Sequence, residues 1–320
     1  MNNKAFTVII PTKNEERFIG NSIRSVLDVC GGSVREIIVV DNHSTDRTRE
    51  VAESAGARFI RCGGTIAAQR NAGAKLAQTE YIAFLDADCT VRANWSEISI
   101  NWLLSDDVVA VGAKPDAPID QSTWVQSTWC FIKKSSSSGP SEVKWLSSCN
   151  LWVKLAPFNA IGGFDESFET CEDADLGYRI SRLGRIISDP GIAVVHFREP
   201  ASIKQFYHKE VWHGKNSLDG VLRGRLTLHE LPSLLSPLIF GIALISSAIA
   251  VFQIAIMSQT SMLAAFIPIA IAIPFIYTLR AHFKKSEWFR FPQVFLVYTV
   301  YFLARFVALV KYLIPKKWSR

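Results

Sequence analysis

Between Leu231 and Leu279 lie 49 residues without one charged side chain or histidine. A soluble core accepts short uncharged runs, but one this long satisfies itself only in lipid, where a helix needs about 20 apolar residues to cross. Ser258-Gln259-Thr260-Ser261 divides the run near its middle. The reading is therefore a two-span hairpin, residues 231–257 and 262–279. The loop behind it, from Arg280 through Lys284 and Lys285 to Arg290, is basic. The excess of Lys and Arg in such loops marks the cytoplasmic side, which also leaves the preceding domain in the cytoplasm. A multi-pass protein of the inner (plasma) membrane is expected. Residues 291–313 are apolar except for Arg305 and Lys311, and two placements stay open. As a third span they would carry Lys316, Lys317 and Arg320 outside, against the charge rule. Lying in the interface, they would turn Tyr298, Tyr301 and Arg305 to water.

The formal charge of +6 is unevenly spread. From Arg280 onward there are nine basic residues against Glu287 alone, leaving 26 basic and 28 acidic groups in residues 1–279. A basic surplus beside apolar segments suits a membrane surface and not a nucleic acid. Residues 201–230 fit that setting. There Ile203, Phe206, Tyr207, Val211 and Trp212 interleave with Lys204, His208, Lys209, His213 and Lys215, as in an interfacial amphipathic segment. The six cysteines form no C-x-x-C pair and read as reduced thiols. Met1 to Ala5 carries no signal-peptide pattern.

Ahead of the membrane region, residues 1–200 alternate strand and helix. Residues 5–11 form an apolar strand ended by Pro11, and Asn14 can cap a helix with Glu15 and Glu16 in its first turn. A second strand, 36–40, ends at Asp41; residues 42–46 open the next helix; 58–60 is a short strand; 66–76 has helical spacing with Arg70 near its start. Tyr81-Ile82-Ala83-Phe84-Leu85 then runs into Asp86-Ala87-Asp88. Four such alternations predict a doubly wound α/β domain, whose ligands bind past the carboxyl ends of the strands. Two carboxylates at i, i+2 there suit Mg²⁺ or Mn²⁺ bridging a diphosphate, although Asp-x-Asp alone is more often a solvated turn. Downstream, Glu172-Asp173-Ala174-Asp175 opens a helix, and residues 192–195 form a strand ending at His196, placed either to reach a metal or to serve structurally. Residues 133–140 read as a polar loop, an active-site lid or a plain connection.

Val8-Ile-Ile-Pro-Thr-Lys-Asn-Glu-Glu16, Val39-Val-Asp-Asn-His-Ser-Thr-Asp46, Arg70-Asn-Ala-Gly73, Asp86-Ala-Asp88, Gly162-Gly-Phe-Asp-Glu166 and Glu172-Asp173, in this order and spacing, resemble glycosyltransferase family 2 with its GT-A fold. The resemblance covers roughly residues 5–200, and many bacterial members carry a membrane-anchored C-terminal region. It implies a nucleotide pocket lined by Pro11, Thr12, Asn14 and Glu15, with Asp41 toward the base and Arg70 toward ribose or phosphate. It also implies Asp86 on the ribose and metal side, Asp88 as direct metal ligand with His196 in reach, and Asp173 beside Glu172 as catalytic base. The implied activity is metal-dependent, inverting hexosyl transfer from a nucleotide-diphosphate sugar, a UDP-sugar first, to a polyprenyl or saccharide-lipid acceptor in cell-surface polysaccharide or glycolipid synthesis. The Gln-x-x-Arg-Trp pattern of processive members is absent; Lys209-Glu210-Val211-Trp212 does not match it, which favours transfer of a single sugar. Two other classes compete. A sugar nucleotidyltransferase would need a glycine-rich phosphate loop, and residues 8–16 hold no glycine. A catalytically decayed membrane scaffold would be expected to have lost its acidic positions.

Overall fold

The computed structural model describes residues 5–116, 118, 123–133, 139–215, 231–257, 261–283, 285 and 287–313. The chain packs into two compact units, Met1–Asp120 with Ser137–Glu199 and Gln121–Ser136 with Pro200–Arg320. The helical unit thus takes in residues 121–136, which the sequence alone leaves in the α/β domain. The interior of the polar 133–140 stretch, like residues 216–230 of the amphipathic segment, lies outside the described residues.

In the first unit β1 (Phe6–Thr12), α1 (Ile19–Cys30), β2 (Val34–Asp41), α2 (Thr48–Ser54), β3 (Arg58–Arg61), α3 (Ile66–Ala74) and β4 (Tyr81–Leu85) follow the expected alternation. Then come β5 (Cys89–Val91), α4 (Trp95–Leu103), β6 (Val108–Gly112), β7 (Ser141–Val143), β8 (Asn150–Lys154), α6 (Leu155–Ala160), α7 (Glu172–Ile180), β9 (Arg185–Ser188) and β10 (Val194–His196). Eight strands form one sheet in the order β3-β2-β1-β4-β8-β6-β9-β7, while β5 and β10 make a separate ribbon. The β1, β2, β3 and β4 pairs are parallel, but β8 enters antiparallel to both β4 and β6. Both faces of the sheet are covered, as the near-continuous apolar runs require. Phe6, Val8 and Ile10 point toward Ile19, Ile23 and Val26 of α1, and Ile9, Val40 and Phe84 join Ala67 and Ala74 of α3 on the other face.

Two local expectations fail. Strand β1 does not stop at Pro11 but runs to Thr12. Its pairing to β4 ends at Ile9, so Pro11 lies where only β2 remains beside the strand and one missing donor is tolerated. Asn14 does not cap α1, which starts at Ile19 behind Phe18. Asn14 instead adopts a left-handed backbone, φ 55°, and its Oδ1 accepts from Thr45 N–H at 2.9 Å.

In the second unit α5 (Trp124–Lys133) and α8 (Ile203–His213) join α9 (Leu231–Met257), α10 (Phe266–His282) and α11 (Phe291–Leu313). Pro232–Ile256, Met262–His282 and Trp288–Leu313 are each long and apolar enough to cross a membrane, with mean hydropathy 2.3, 2.2 and 1.8. Membrane association is therefore plausible on length and composition. The face of α11 expected to meet water is covered by protein. Tyr301 packs on Trp129 of α5, and Arg305 pairs with Glu210 of α8 at 2.9 Å.

Candidate active site

Carboxylates collect past the ends of β1, β2 and β4. The loops after β1 and β2 are stitched together: Asn14 N–H donates to Ser44 Oγ (2.7 Å), Glu15 N–H to Thr48 Oγ1 (2.8 Å), Glu16 N–H to Asp46 (3.2 Å) and Arg47 N–H back to Glu16 (3.0 Å). Thr12 is buried, and its hydroxyl has no hydrogen-bond partner among the described residues. Asp41, also buried, spends its carboxylate on its own turn, accepting from the Ser44 N–H at 3.0 Å and from the Ser44 hydroxyl. Asp41 thus acts as a turn cap, with acceptor capacity left on both oxygens.

Arg70 is not a surface residue of α3. It is 2% exposed, and its two terminal nitrogens each meet a carboxylate at 2.8 Å, Asp86 on one side and Glu172 on the other. Its guanidinium also stands 5.6 Å from the Phe164 ring centre. Burial opposes the charge, but Asp86 and Glu172 outweigh it and raise the pKa further. This arginine joins the end of β4 to the start of α7. Beside it, Asn71 grips the Gly162-Gly163-Phe164 turn, donating to the Phe164 carbonyl (2.9 Å) and Glu166 (2.9 Å) and accepting the Phe164 N–H (2.9 Å). The sequence motifs around residues 70 and 162 are therefore halves of one brace.

Asp173 follows Glu172 in the first turn of α7 and is half-buried. Desolvation, with the Glu172 carboxylate adding and Arg70 opposing, pushes its pKa up to about 7. A carboxyl titrating there can hold or release a proton at neutral pH. The third acid of that turn, Asp175, has a structural job instead, holding Arg179 at 2.6 Å.

Across the site, His196 pairs in register with Cys89 where β10 meets β5. Its Nε2 lies 3.3 Å from Asp88. Candidate donor atoms of Asp88, Cys89 and His196 lie within 4.8 Å of one another. Cys89 is completely buried beside Cys149, and that contact and desolvation raise its thiol well above the usual range. Glu15 has one carboxylate oxygen buried without a hydrogen-bond partner among the described residues. Burial pushes its pKa up to about 7, with Asp88 and Asp86 adding and the paired Arg198 opposing. Converging carboxylates, an imidazole and an orphaned oxygen fit a hard divalent cation.

Two supporting residues are missed by sequence reasoning. Glu199, buried, lies 3.6 Å from His196 Nδ1, outside hydrogen-bond range, and is a charged neighbour of that ring; the i, i+3 spacing in His196-Phe-Arg-Glu199 was the available signal. Asn150, facing Leu85 at the end of β4, accepts from the buried Trp95 Nε1 at 2.9 Å and donates to Ile192 and Ala113. It secures the strand end that presents Asp86, and no local pattern marks it.

A mixed sheet with acidic strand ends and an acidic helix start of this kind is the GT-A fold. Residues 7–159 match the profile of Glycosyl transferase family 2. Among similar proteins, the pre-mycofactocin glycosyltransferase of Mycobacterium tuberculosis is 24% identical over 65% of this chain and 46% of its own length. The chain thus spans about half of that relative. The succinoglycan biosynthesis protein ExoA of Rhizobium meliloti is 26% identical over 73% of this chain and 76% of its own. An N-acetylglucosaminyl-diphospho-decaprenol L-rhamnosyltransferase of M. tuberculosis is 34% identical over 28% of this chain and 32% of its own. In fold, the chain is similar to a mannosyltransferase from Pyrobaculum calidifontis solved with GDP-Man and Mn²⁺, with TM-score 0.62 and 17% identity over 97% of this chain and 87% of that one.

Proposed function

We propose that the protein is a metal-dependent, inverting glycosyltransferase that moves one sugar from a nucleotide-diphosphate sugar to a membrane-associated polyprenyl or saccharide-lipid acceptor, in cell-surface polysaccharide or glycolipid synthesis. One observation carries the reading. A single buried arginine ties the strand-end carboxylate Asp86 to Glu172, next to Asp173, so a cation-binding end and a base end belong to one constellation. The names of the relatives support the class: two are glycosyltransferases, one makes succinoglycan, and the rhamnosyltransferase's name carries a polyprenyl diphosphate.

Asp88 and His196 would hold Mg²⁺ or Mn²⁺, with Asp86 supporting from the ribose side. Such an ion neutralises charge on a departing diphosphate as a Lewis acid. Around it, Pro11, Thr12, Asn14 and Glu15 line the nucleotide side, where the buried Thr12 hydroxyl has no partner among the described residues. Arg70 keeps Asp86 and Glu172 fixed, so it is a positioning residue and not a phosphate ligand. Asp173 accepts the proton of an attacking sugar hydroxyl from the face opposite the leaving group. An acceptor phosphate, already ionised, would need no base, so Asp173→Asn separates the two acceptor classes. It should abolish transfer to a hydroxyl and spare transfer to a phosphate.

The test is release of nucleoside diphosphate by the detergent-solubilised protein from a panel of UDP-, GDP- and dTDP-sugars, with and without Mn²⁺ and a polyprenyl or lipid-linked acceptor. Mn²⁺-dependent release from one donor supports the reading. Release of pyrophosphate from a sugar 1-phosphate and a nucleoside triphosphate would replace it with a nucleotidyltransferase.

A further inference from the structure

Helix α11 has the length and hydropathy of a span, yet its contacts follow another path. Ser236 of α9 and Tyr277 of α10 touch at 2.9 Å, which makes these positions level along the hairpin. At its start, Phe291 of α11 packs on Phe275 (5.6 Å) and His282 (5.5 Å). Tyr277 then meets both Tyr298 (5.6 Å) and Phe302 (4.9 Å), and Phe302 meets Phe240 (5.8 Å). At Gly241 a Cβ would stand 2.1 Å from the Phe306 ring. From Phe291 to Phe306 the helix therefore covers about 22 Å of its own length while moving only about 10 Å along the hairpin, at 1.5 Å per residue. At that slant the whole of α11 would gain about 15 Å of depth, half of a hydrocarbon core about 30 Å thick. An antiparallel neighbour would have brought Phe302 to Ile271, which is 55% exposed. The far part of α9 is likewise uncovered, with Val251 and Phe252 more than half exposed.

The other side of α11 carries the second observation. Helix α8 lies along it in the same direction, through Phe206 with Val297, Glu210 with Arg305, and Gly214, where a Cβ would stand 2.5 Å from Ala308. Lys204, Gln205, His208 and Lys215 of this segment are exposed. Were α11 to cross from the basic loop at Arg280–Arg290, its second half would carry the end of α8, with the exposed Lys215, into the far leaflet, where a charged side chain is costly. Arg305 has its charge answered by Glu210, 4% exposed at the side chain, inside the protein and not by water.

We infer that α11 is not a third span. With α8 alongside, it forms an oblique platform in the headgroup layer on the basic-loop side, and the partner of its outer surface is the lipid interface. Trp212 and Tyr312, 42% and 40% exposed, suit that layer. Lys311 then stays on the same side as Arg280, Lys285 and Arg290, as the charge rule expects. The inference rests on the membrane reading of the α9–α10 hairpin.

Single cysteines at Met262, Phe283 and Tyr312, all exposed, would be placed in full-length protein whose Cys62, Cys130 and Cys171 are serine. They would be labelled with an impermeant maleimide in vesicles of each orientation. The expected result is Tyr312→Cys and Phe283→Cys reacting from one side and Met262→Cys from the other. Reaction of Tyr312→Cys from the Met262 side would overturn the inference and make α11 a span. Reaction of Met262→Cys and Phe283→Cys from one side would remove the hairpin itself, a distinguishable failure. Should Tyr312→Cys not accumulate, Leu313→Cys, 70% exposed, replaces it.

Discussion

At the residue scale the account turns on Arg70 and Asp173. Removing one partner from a buried ion network leaves the others uncompensated, which costs about 3–5 kcal/mol. Arg70→Met leaves Asp86 and Glu172 facing each other without a cation, so thermal unfolding should shift sharply downward. Arg70→Lys should recover little, because a point charge cannot bond two carboxylates on opposite sides as a planar fork does. For Asp173, the pKa near 7 places the lower limb of the pH–rate profile for a hydroxyl acceptor at about pH 7, with rate rising as the carboxyl deprotonates. Glu172→Gln removes the neighbouring charge that raises it and should move that limb to lower pH. The linkage has the opposite sense for stability. A carboxyl with a raised folded-state pKa favours folding while protonated, so its contribution fades as pH climbs from 3.8 to about 7. Asp173→Asn should therefore raise Tm at pH 8 while lowering hydroxyl transfer by roughly 10²–10⁴-fold.

Elements decide how those residues are held. Gly163 sits at φ 71°, and a Cβ there would stand 2.6 Å from Asn71 Oδ1. Gly163→Ala should thus both strain the turn and break the Asn71 brace. A loss of about 1–3 kcal/mol in denaturant unfolding is expected, and an unchanged midpoint would show that the turn is not braced as described. At this scale much was legible. Strands β1, β2 and β4 announce themselves as buried apolar runs. The misreadings share a cause: local signals cannot see long-range partners. Asn14 looks like a helix cap but serves the loop after β2, 31 residues away. Arg70 sits at a helical spacing open to several readings, because its partners are 16 and 102 residues distant. Strand β8, inserted antiparallel between β4 and β6, leaves no trace in the alternation that predicts a parallel sheet.

For the whole molecule, the 49-residue uncharged run made the apolar hairpin legible from sequence alone, whereas the assignment of α5 to the helical unit was not. Trp129 and Phe206 pack at 4.8 Å across 77 residues of chain, a pairing no composition window reports. If the hairpin is inserted, the protein stays in the pellet through alkaline carbonate washing and leaves it only in detergent; release by carbonate would mean surface attachment. The central claim is that a cation end and a base end act together on a nucleotide-diphosphate sugar. Its most direct measurement is the Mn²⁺-dependent rate of sugar transfer to a hydroxyl acceptor by the wild-type protein, Asp88→Ala and Asp173→Asn, with donor binding followed in parallel. The account predicts that both variants lose transfer by at least about 10²-fold, that Asp173→Asn still binds donor with Mn²⁺, and that Asp88→Ala does not. Wild-type rates from both variants would contradict it.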